Sequence, residues 1–417
     1  MNLTASPSQL TGTIPAPPSK SLSLRALGAA FLSRKKAFLK NISSCADVKN
    51  ALISLKELGL HIEHINDSTL ILHPQSSVEN NILSCGESGL WLRMMAPILS
   101  LSNQPYVLKG AGSLCERPVQ MLIDPLQNAG VFVDSRQGFP PITLRGPLHP
   151  GTIHLSGKET SQFLTGLLMA LPLLSGPSRI IVDELNSRPY IDMTLSFLDH
   201  FGISVENQRY QEFIIRGNQQ YQPVDFTVEG DWSGAAFFLV AGAFAGPVTV
   251  TGLNPDSSQG DKAILKALRL AGARVISEDG NVTVLRGNPK PFEFDAVHTP
   301  DLFPPLAVLA HFSPGISSIK GVSRLFHKES NRATALQNLF RSLGLSLIIK
   351  DDVMLVQGGI PQGGTVSSFN DHRMAMSAAL LGLGGRSAVS LIGAEAVEKS
   401  YPEFFDHIRQ LGGKIYE

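Results

Sequence analysis

Six glycines recur along this chain at almost constant intervals, and each closes the same local pattern. Gly59, Gly130, Gly202, Gly272, Gly344 and Gly412 are separated by 71, 72, 70, 72 and 68 residues. An apolar stretch of helical period leads into each. Leu52, Leu55 and Leu58 precede the first and Leu336, Leu339 and Leu343 the fifth, a spacing that keeps side chains on one helix face. Beyond the glycine the period changes to two: Leu60 with Ile62, Val131 with Val133, Ile203 with Val205, Leu345 with Leu347, as in a half-buried strand. A second series holds the same phase. Polar turns at Ser19, Gly86, Glu159, Asp231, Asp301 and Asn370 open apolar helices, each 40 to 44 residues before its glycine. Two series in one phase predict six copies of a unit of about seventy residues, each with two helices and several strands. At roughly 150 residues per domain, the length of 417 suggests two or three globular bodies.

The helices after the polar turns, over residues 163–174, 235–244 and 375–383, are almost wholly apolar, so they are expected to be buried. A buried helix still has unsatisfied N–H groups and partial positive charge at its N-terminus. Six such ends facing one space would attract anions. Residues 232–254 carry no charge after Asp231, but Gly242, Gly246, Pro247 and Gly252 interrupt them, which predicts a helix then a strand rather than a membrane span.

Charge narrows the partners. Lys plus Arg and Asp plus Glu are each 35, a net charge of zero, so no global basic field exists for nucleic acid or an anionic membrane. Cys45, Cys85 and Cys115 form no CxxC pair, against a disulfide framework or a zinc site. The N-terminal residues lack a basic flank and apolar stretch, so export is not expected and a reducing cytoplasm fits.

Chemistry concentrates at the repeated turns. Lys20, Ser21 and Arg25 surround the first helix entrance, which suits a phosphate or carboxylate but is also compatible with an ordinary capped surface helix. Gly86-Glu87-Ser88-Gly89 opens a helix containing Arg93, where the glycines permit close backbone approach. Thr160-Ser161-Gln162 offers hydroxyls and an amide, Asp301 a carboxylate, and Asn370-Asp371-His372-Arg373 a polar group that burial makes costly unless paired. That quartet reads equally as a capping network with a salt bridge. Lys20, Arg25, Arg93, Arg117, Lys328, Arg332, Arg373 and Lys399 are eight cations at recurring motif positions. In a neutral chain they suggest small, highly anionic substrates. No P-loop, dinucleotide fingerprint or metal-ligand array accompanies them, so neither cofactor nor metal is required.

At these residues the sequence resembles the 5-enolpyruvylshikimate-3-phosphate synthase family of enolpyruvyltransferases over nearly its whole length. Pro18-Ser19-Lys20-Ser21 with Arg25, Ser161-Gln162-Phe163-Leu164-Thr165, Arg188-Pro189-Tyr190-Ile191-Asp192, Val228-Glu229-Gly230-Asp231, Lys328-Glu329 with Arg332, and Asn370 through Met376 occur in that family's order. The resemblance implies an α/β fold: a two-domain inside-out α/β barrel with three βαβαββ units per domain. Residues 17–227 would form an N-terminal lobe on the shikimate 3-phosphate side, and residues 1–16 with 228–417 a C-terminal lobe completing the phosphoenolpyruvate site. A cleft that closes on the substrates is implied too. The implied reaction is a step of chorismate and aromatic amino-acid biosynthesis. It transfers the enolpyruvyl group of phosphoenolpyruvate to the 5-hydroxyl of shikimate 3-phosphate by addition and elimination, releasing inorganic phosphate. A cytoplasmic monomer without nucleic-acid or membrane partners is expected.

By motif correspondence the resemblance assigns Asp301 to the shikimate hydroxyl, Glu329 and Lys20 to proton transfer and charge stabilisation, and His372 to the departing phosphate. Shikimate 3-phosphate would be held by Lys20, Ser21, Arg25, Thr160, Ser161, Gln162, Ser187, Tyr190, Asp301, Arg324 and Lys328. Phosphoenolpyruvate would be held by Lys20, Gly89, Arg117, Gln162, Arg332, Arg373 and Lys399. The chain departs from the family's usual Gly-Asn-Ala-Gly-Thr at Gly86-Glu87-Ser88-Gly89-Leu90, has Met94 in place of Pro, Arg324 in place of Asn and Thr160 in place of Ser. A carboxylate facing phosphoenolpyruvate would repel it, so Glu87 is expected to turn away, cap its helix or pair with a cation. The related UDP-N-acetylglucosamine enolpyruvyltransferases carry a loop cysteine several residues before an Arg-Pro pair. Cys115 stands only two residues before Arg117-Pro118, and the quartet and Ser161-Gln162 favour the shikimate enzymes. A non-catalytic metabolite-binding relative is disfavoured by Lys20, Asp301, Glu329, His372 and Lys399, and an RNA-acting relative by the neutral charge.

Overall fold

The computed structural model describes residues 1–74 and 80–417. Each seventy-residue unit supplies at least three strands of one four-stranded sheet, and six such sheets form among the described residues. All six share a pairing scheme: one parallel pair, then two antiparallel pairings. Thr152–Ser156 runs parallel to Ser178–Asp183, which pairs antiparallel with Glu212–Ile215, which pairs antiparallel with Val205–Gln208. A helix fills each crossover, as a parallel pair demands.

The sheets fall into two compact bodies of three. An inserted body comprises Pro18–Val228; a terminal body comprises Met1–Pro17 with Glu229–Glu417. In each, at least one sheet takes a strand from far along the chain. Asp225–Thr227 runs parallel to Ala37–Lys40 in the inserted body. In the terminal body Asn2–Ser6 lies between Val389–Ile392 and Lys414–Tyr416, antiparallel to both, and Gly12–Pro15 runs parallel to Val248–Thr251. The N-terminal strand therefore belongs with the C-terminal half, as the family resemblance implies.

The periodic glycines act as helix stops. All six have positive φ, from +71° at Gly344 to +89° at Gly412, a region costing a residue with a Cβ roughly 1–2 kcal/mol. At the first, the Gly59 N–H donates to the Lys56 carbonyl at 2.9 Å and the Leu60 N–H to the Leu55 carbonyl at 3.0 Å. This paired closure is the Schellman motif. It recurs at every one of the six: Val131 to Leu126, Ile203 to Leu198, Ala273 to Leu268, Leu345 to Phe340 and Gly413 to Ile408.

The apolar helices after the polar turns form the centre of each body. Every residue of Phe303–His311 and of His372–Leu383 is buried, and Trp232–Ala245 is then followed by the strand Val248–Thr251. Among the described residues no helix is long and apolar enough to cross a membrane. In the inserted body Lys20–Ser33, Gly89–Leu99 and Gln162–Ala170 pack through small residues. A Cβ on Gly166 would stand 2.5 Å from the Met94 carbonyl oxygen, and one on Gly28 would touch the ends of Met94 and Met169 at 3.2 Å. Met94 is thus core packing between helices. The helix expected over residues 163–174 ends at Ala170 and tightens to a 3-10 turn at Leu171–Leu173, where Pro172 has no N–H to continue the ladder.

Candidate active site

In the inserted body the helix entrances collect cations. Ser19 caps Lys20–Ser33, its hydroxyl accepting from the Leu22 N–H. Lys20, at the first helical position, donates from Nζ to Asp47 Oδ2 at 3.0 Å. Asp47 lies in the first turn of Ala46–Glu57, so the repeat's two helices meet through this ion pair. Arg25, one turn deeper, is buried. Its Nε donates to Thr194 Oγ1 at 3.0 Å, Nη1 to the Ser21 carbonyl at 2.9 Å, and Nη2 to the Tyr190 carbonyl at 3.1 Å and Thr165 Oγ1 at 3.4 Å. Burial pushes its guanidinium down to about 10. Arg25 thereby ties its helix to the entrances of Gln162–Ala170 and Arg188–His200. Ser187, which precedes the latter, is buried with φ +58°, a strained conformation of the kind found at ligand clamps.

A second cluster lies at Gly89–Leu99. Ser88 caps this helix. Arg93 Nη1 donates to Gln162 Oε1 at 2.8 Å and Nη2 to the Pro118 carbonyl at 2.9 Å, while Thr160 Oγ1 accepts from the Gln162 N–H at 3.2 Å. A Cβ on Gly89 would lie 2.7 Å from Nη atoms of both Arg93 and Arg117. Gly89, Arg93, Arg117 and Gln162 thus form one donor-rich group at a helix N-terminus. Glu87 Oε2 accepts from the Ser113 N–H at 3.0 Å and its hydroxyl at 2.8 Å, and so is engaged by the turn Gly112–Glu116.

The terminal body holds the carboxylates. Arg332 is wholly buried and meets three of them: Asp371 Oδ2 from Nε at 2.9 Å, Asp301 Oδ1 from Nη1 at 2.7 Å and Glu329 Oε2 from Nη2 at 2.6 Å. Burial lowers an arginine's charge affinity, but Asp371, Glu329 and Asp301 outweigh it and hold Arg332 above its ordinary range. Lys328 Nζ also donates to Asp301 Oδ1, at 3.3 Å. Burial would raise the Asp301 acid; Lys328, Arg373 and Arg332 together hold it well below the usual carboxylate range. Asp301 is therefore ionised among three cations. Lys328 is lowered by burial, against the pull of Asp301, with Arg332 and Arg324 opposing its charge.

Asp371 caps His372–Leu383 by accepting from the Arg373 N–H at 2.9 Å while its other oxygen takes Arg332 Nε, which is a capping network with a salt bridge. His372 is buried with Nδ1 3.8 Å from Asp371. Arg373 Nη1 donates to the Asp301 carbonyl oxygen at 3.0 Å and Nη2 to Ser233 Oγ at 2.6 Å. Lys399 donates to the Asn370 carbonyl at 2.6 Å. Asp301, Lys328, Glu329, Arg332, Asp371 and Arg373 thus form one connected network, with His372 beside Asp371 and Lys399 on the Asn370 carbonyl, and Arg324 near enough to Lys328 to act on its charge.

Sequence reasoning missed Asp47, Thr165, Thr194, Ser233 and Asp261 as partners of these groups. Asp231 offered a signal, because it stands at the fourth polar turn; Asp47 and Asp261 lie outside both series. The Glu229 carboxylate is held by Asn254 at 2.7 Å and Gln259 at 2.8 Å, fixing the loop that leads to Asp261.

The model of the family described as EPSP synthase (3-phosphoshikimate 1-carboxyvinyltransferase) matches residues 4–408. The chain belongs to the EPSP synthase family. A 3-phosphoshikimate 1-carboxyvinyltransferase of Clostridium kluyveri is 37% identical over 414 residues, covering 99% of this chain and 97% of the relative. One from Methanocorpusculum labreanum is 35% identical and both chains are covered in full, 100% each. Among solved structures, an EPSP synthase of Acinetobacter baumannii superposes with a TM-score of 0.84 at 22% identity, over 100% of this chain and 99% of that one. The enolpyruvyl transferase NikO of Streptomyces tendae gives 0.79 at 20% identity, over 100% and 98%. These likenesses establish for the EPSP synthase family member described above the two-body fold of repeated units.

Proposed function

We propose that this chain transfers the enolpyruvyl group of phosphoenolpyruvate to the 5-hydroxyl of shikimate 3-phosphate, giving 5-enolpyruvylshikimate 3-phosphate and inorganic phosphate. Asp301 carries the reading: a carboxylate kept ionised by Lys328, Arg332 and Arg373 is suited to accept a hydrogen bond from a hydroxyl about to attack. Family membership over residues 4–408 supports the same reaction. In the addition step the hydroxyl gives up its proton as its oxygen bonds to the carbon bearing the phosphate, while the methylene carbon gains a proton and the double bond becomes single. In the elimination a methyl proton leaves and the C–O bond to phosphate breaks. Both steps need an acid and a base within reach; Glu329 and Lys20 fill those roles, and His372 assists the departing phosphate.

The inserted body, Pro18–Val228, holds shikimate 3-phosphate through Lys20, Ser21, Thr160, Ser161, Gln162, Ser187 and Tyr190. Arg25 supports them from beneath, since its donors engage Thr194, Thr165 and two carbonyls. Gly89, Arg117 and Gln162 take phosphoenolpyruvate, as do Arg373 and Lys399 of the terminal body. Arg332 acts on phosphoenolpyruvate through the carboxylates it anchors. Arg324 strengthens the hold on shikimate 3-phosphate, and Arg324→Ala should weaken that affinity. A cytoplasmic monomer fits this reading. The deciding experiment measures phosphate release with each substrate alone and with both. Release only with both is expected; tight binding of either without turnover would instead mark a non-catalytic relative.

A further inference from the structure

Two of the buried arginines of the terminal body are held in different ways. Arg332 is surrounded by carboxylates, whereas Arg373 is fixed at both Nη atoms by neutral oxygens: the Asp301 carbonyl at 3.0 Å and Ser233 Oγ at 2.6 Å. The Asp301 carboxylate lies 3.8 Å from Nη2, beyond hydrogen-bond distance. Ser233 therefore occupies the position from which Nη2 would otherwise close on Asp301.

Behind Ser233 stands Asp261. The Ser233 hydroxyl donates to this carboxylate, which leaves its oxygen lone pairs directed at Arg373. The frame is tightly fixed. Asp231 Oδ1 accepts from the Ser233 and Gly234 N–H groups at 2.8 and 3.2 Å. Gln259, two residues before Asp261, accepts from the Trp232 N–H at 3.1 Å and donates to the Gly230 carbonyl at 2.8 Å. The loop bearing Asp261 and the turn bearing Ser233 are thus bonded to each other. Asp261 is buried; burial pushes its acid up to about 6, Asp301 and Asp231 adding to the rise while Arg373 and Ser233 oppose it.

We propose that Ser233 and Asp261 are positioning residues: Asp261 orients the Ser233 hydroxyl, which holds the Arg373 guanidinium away from the Asp301 carboxylate and presents its charge to phosphoenolpyruvate. The proposal rests on the reading of Arg373 given above. Without the hydroxyl, Nη2 loses a hydrogen bond and moves toward Asp301, so the anion meets an arginine already paired.

The test uses the full-length protein and steady-state kinetics in each substrate. Ser233→Ala should raise KM for phosphoenolpyruvate about tenfold, the loss of one charged-group hydrogen bond, with KM for shikimate 3-phosphate nearly unchanged. Ser233→Thr, which keeps the hydroxyl, should restore the wild-type value. Asp261→Asn should raise the same KM and gives a second reading should Ser233→Ala fold poorly. In an Arg373→Lys background, Ser233→Ala should add little, because the two act as one unit. Equal rises in both KM values, or additive effects of Ser233→Ala and Arg373→Lys, would overturn the positioning role. Should Arg373→Lys alone leave KM for phosphoenolpyruvate unmoved, the assignment of Arg373 fails first and the positioning role with it.

Discussion

Replacing Arg332 with Met, of similar length and no charge, removes the cation that three carboxylates share. In the native protein Arg332 is wholly buried and bonds Asp371, Asp301 and Glu329 at 2.9, 2.7 and 2.6 Å. Removing one partner of a buried ion pair costs about 3–5 kcal/mol. For a body near two hundred residues that corresponds to a fall in Tm of roughly 6–20 °C. The pH dependence distinguishes this origin from simple loss of packing. Asp301 is held well below the usual carboxylate range by Lys328, Arg373 and Arg332, which together outweigh its burial. A depressed carboxylate contributes stability that is present above its unfolded pKa and lost as pH falls through the folded one. Without Arg332 that contribution shrinks, and carboxylates stranded by burial relieve their cost by taking up protons in acid. The variant's deficit should therefore be largest at pH 8 and smaller at pH 4.5. Trp232 is one of two tryptophans and is buried in the terminal body, so its fluorescence in a Trp91→Phe background follows unfolding of that body alone. A deficit equal at both pH values would refute the charge argument and leave a packing defect as the cause.

Gly272→Ala and Gly412→Ala share a left-handed backbone but not their surroundings: the added Cβ would meet Asn288 O at 1.9 Å in the first and nothing nearer than Gln9 O at 3.8 Å in the second. Gly412→Ala should cost about 1–2 kcal/mol from strain alone and Gly272→Ala clearly more; equal urea midpoints would show that the clash is relieved without cost. Gly89→Ala pushes on the guanidinium ends of Arg93 and Arg117, so KM for phosphoenolpyruvate should rise more than stability falls, and a loss of Tm with KM unchanged would remove this group from the site. Arg25→Lys replaces a fork bonded to four oxygens by a single ammonium, which should destabilise the inserted body by about 3 kcal/mol; full stability in denaturant titration would contradict its supporting role.

The fold was largely legible in the sequence because its determinants are local and repeated. A Schellman closure needs a left-handed residue at one position, and glycine marks it whatever the tertiary context. Leu55 and Leu336 are fully buried because the helix period alone decides which face meets the core. The site was legible only in part. Cations at helix entrances can be read from a motif, but what lies opposite them cannot: Arg25 meets Thr194 across 169 residues of sequence, and Arg332 meets Asp371 across 39. Both arginines read as ligand contacts, yet their hydrogen bonds run to the protein itself. Asp47 and Asp261 carry no periodic signal, and only the folded chain brings them to Lys20 and Ser233. Glu87 was legible as a problem; its partner, Ser113, was not.

The terminal strand Asn2–Ser6 is sandwiched between Val389–Ile392 and Lys414–Tyr416. During synthesis, then, Asn2–Ser6 must wait for Lys414–Tyr416 before their sheet can close, while Pro18–Val228 already has every strand its sheets use. Translation thereby imposes a schedule: the inserted body can mature early, and the terminal body completes its sheets some four hundred residues after its first strand was made.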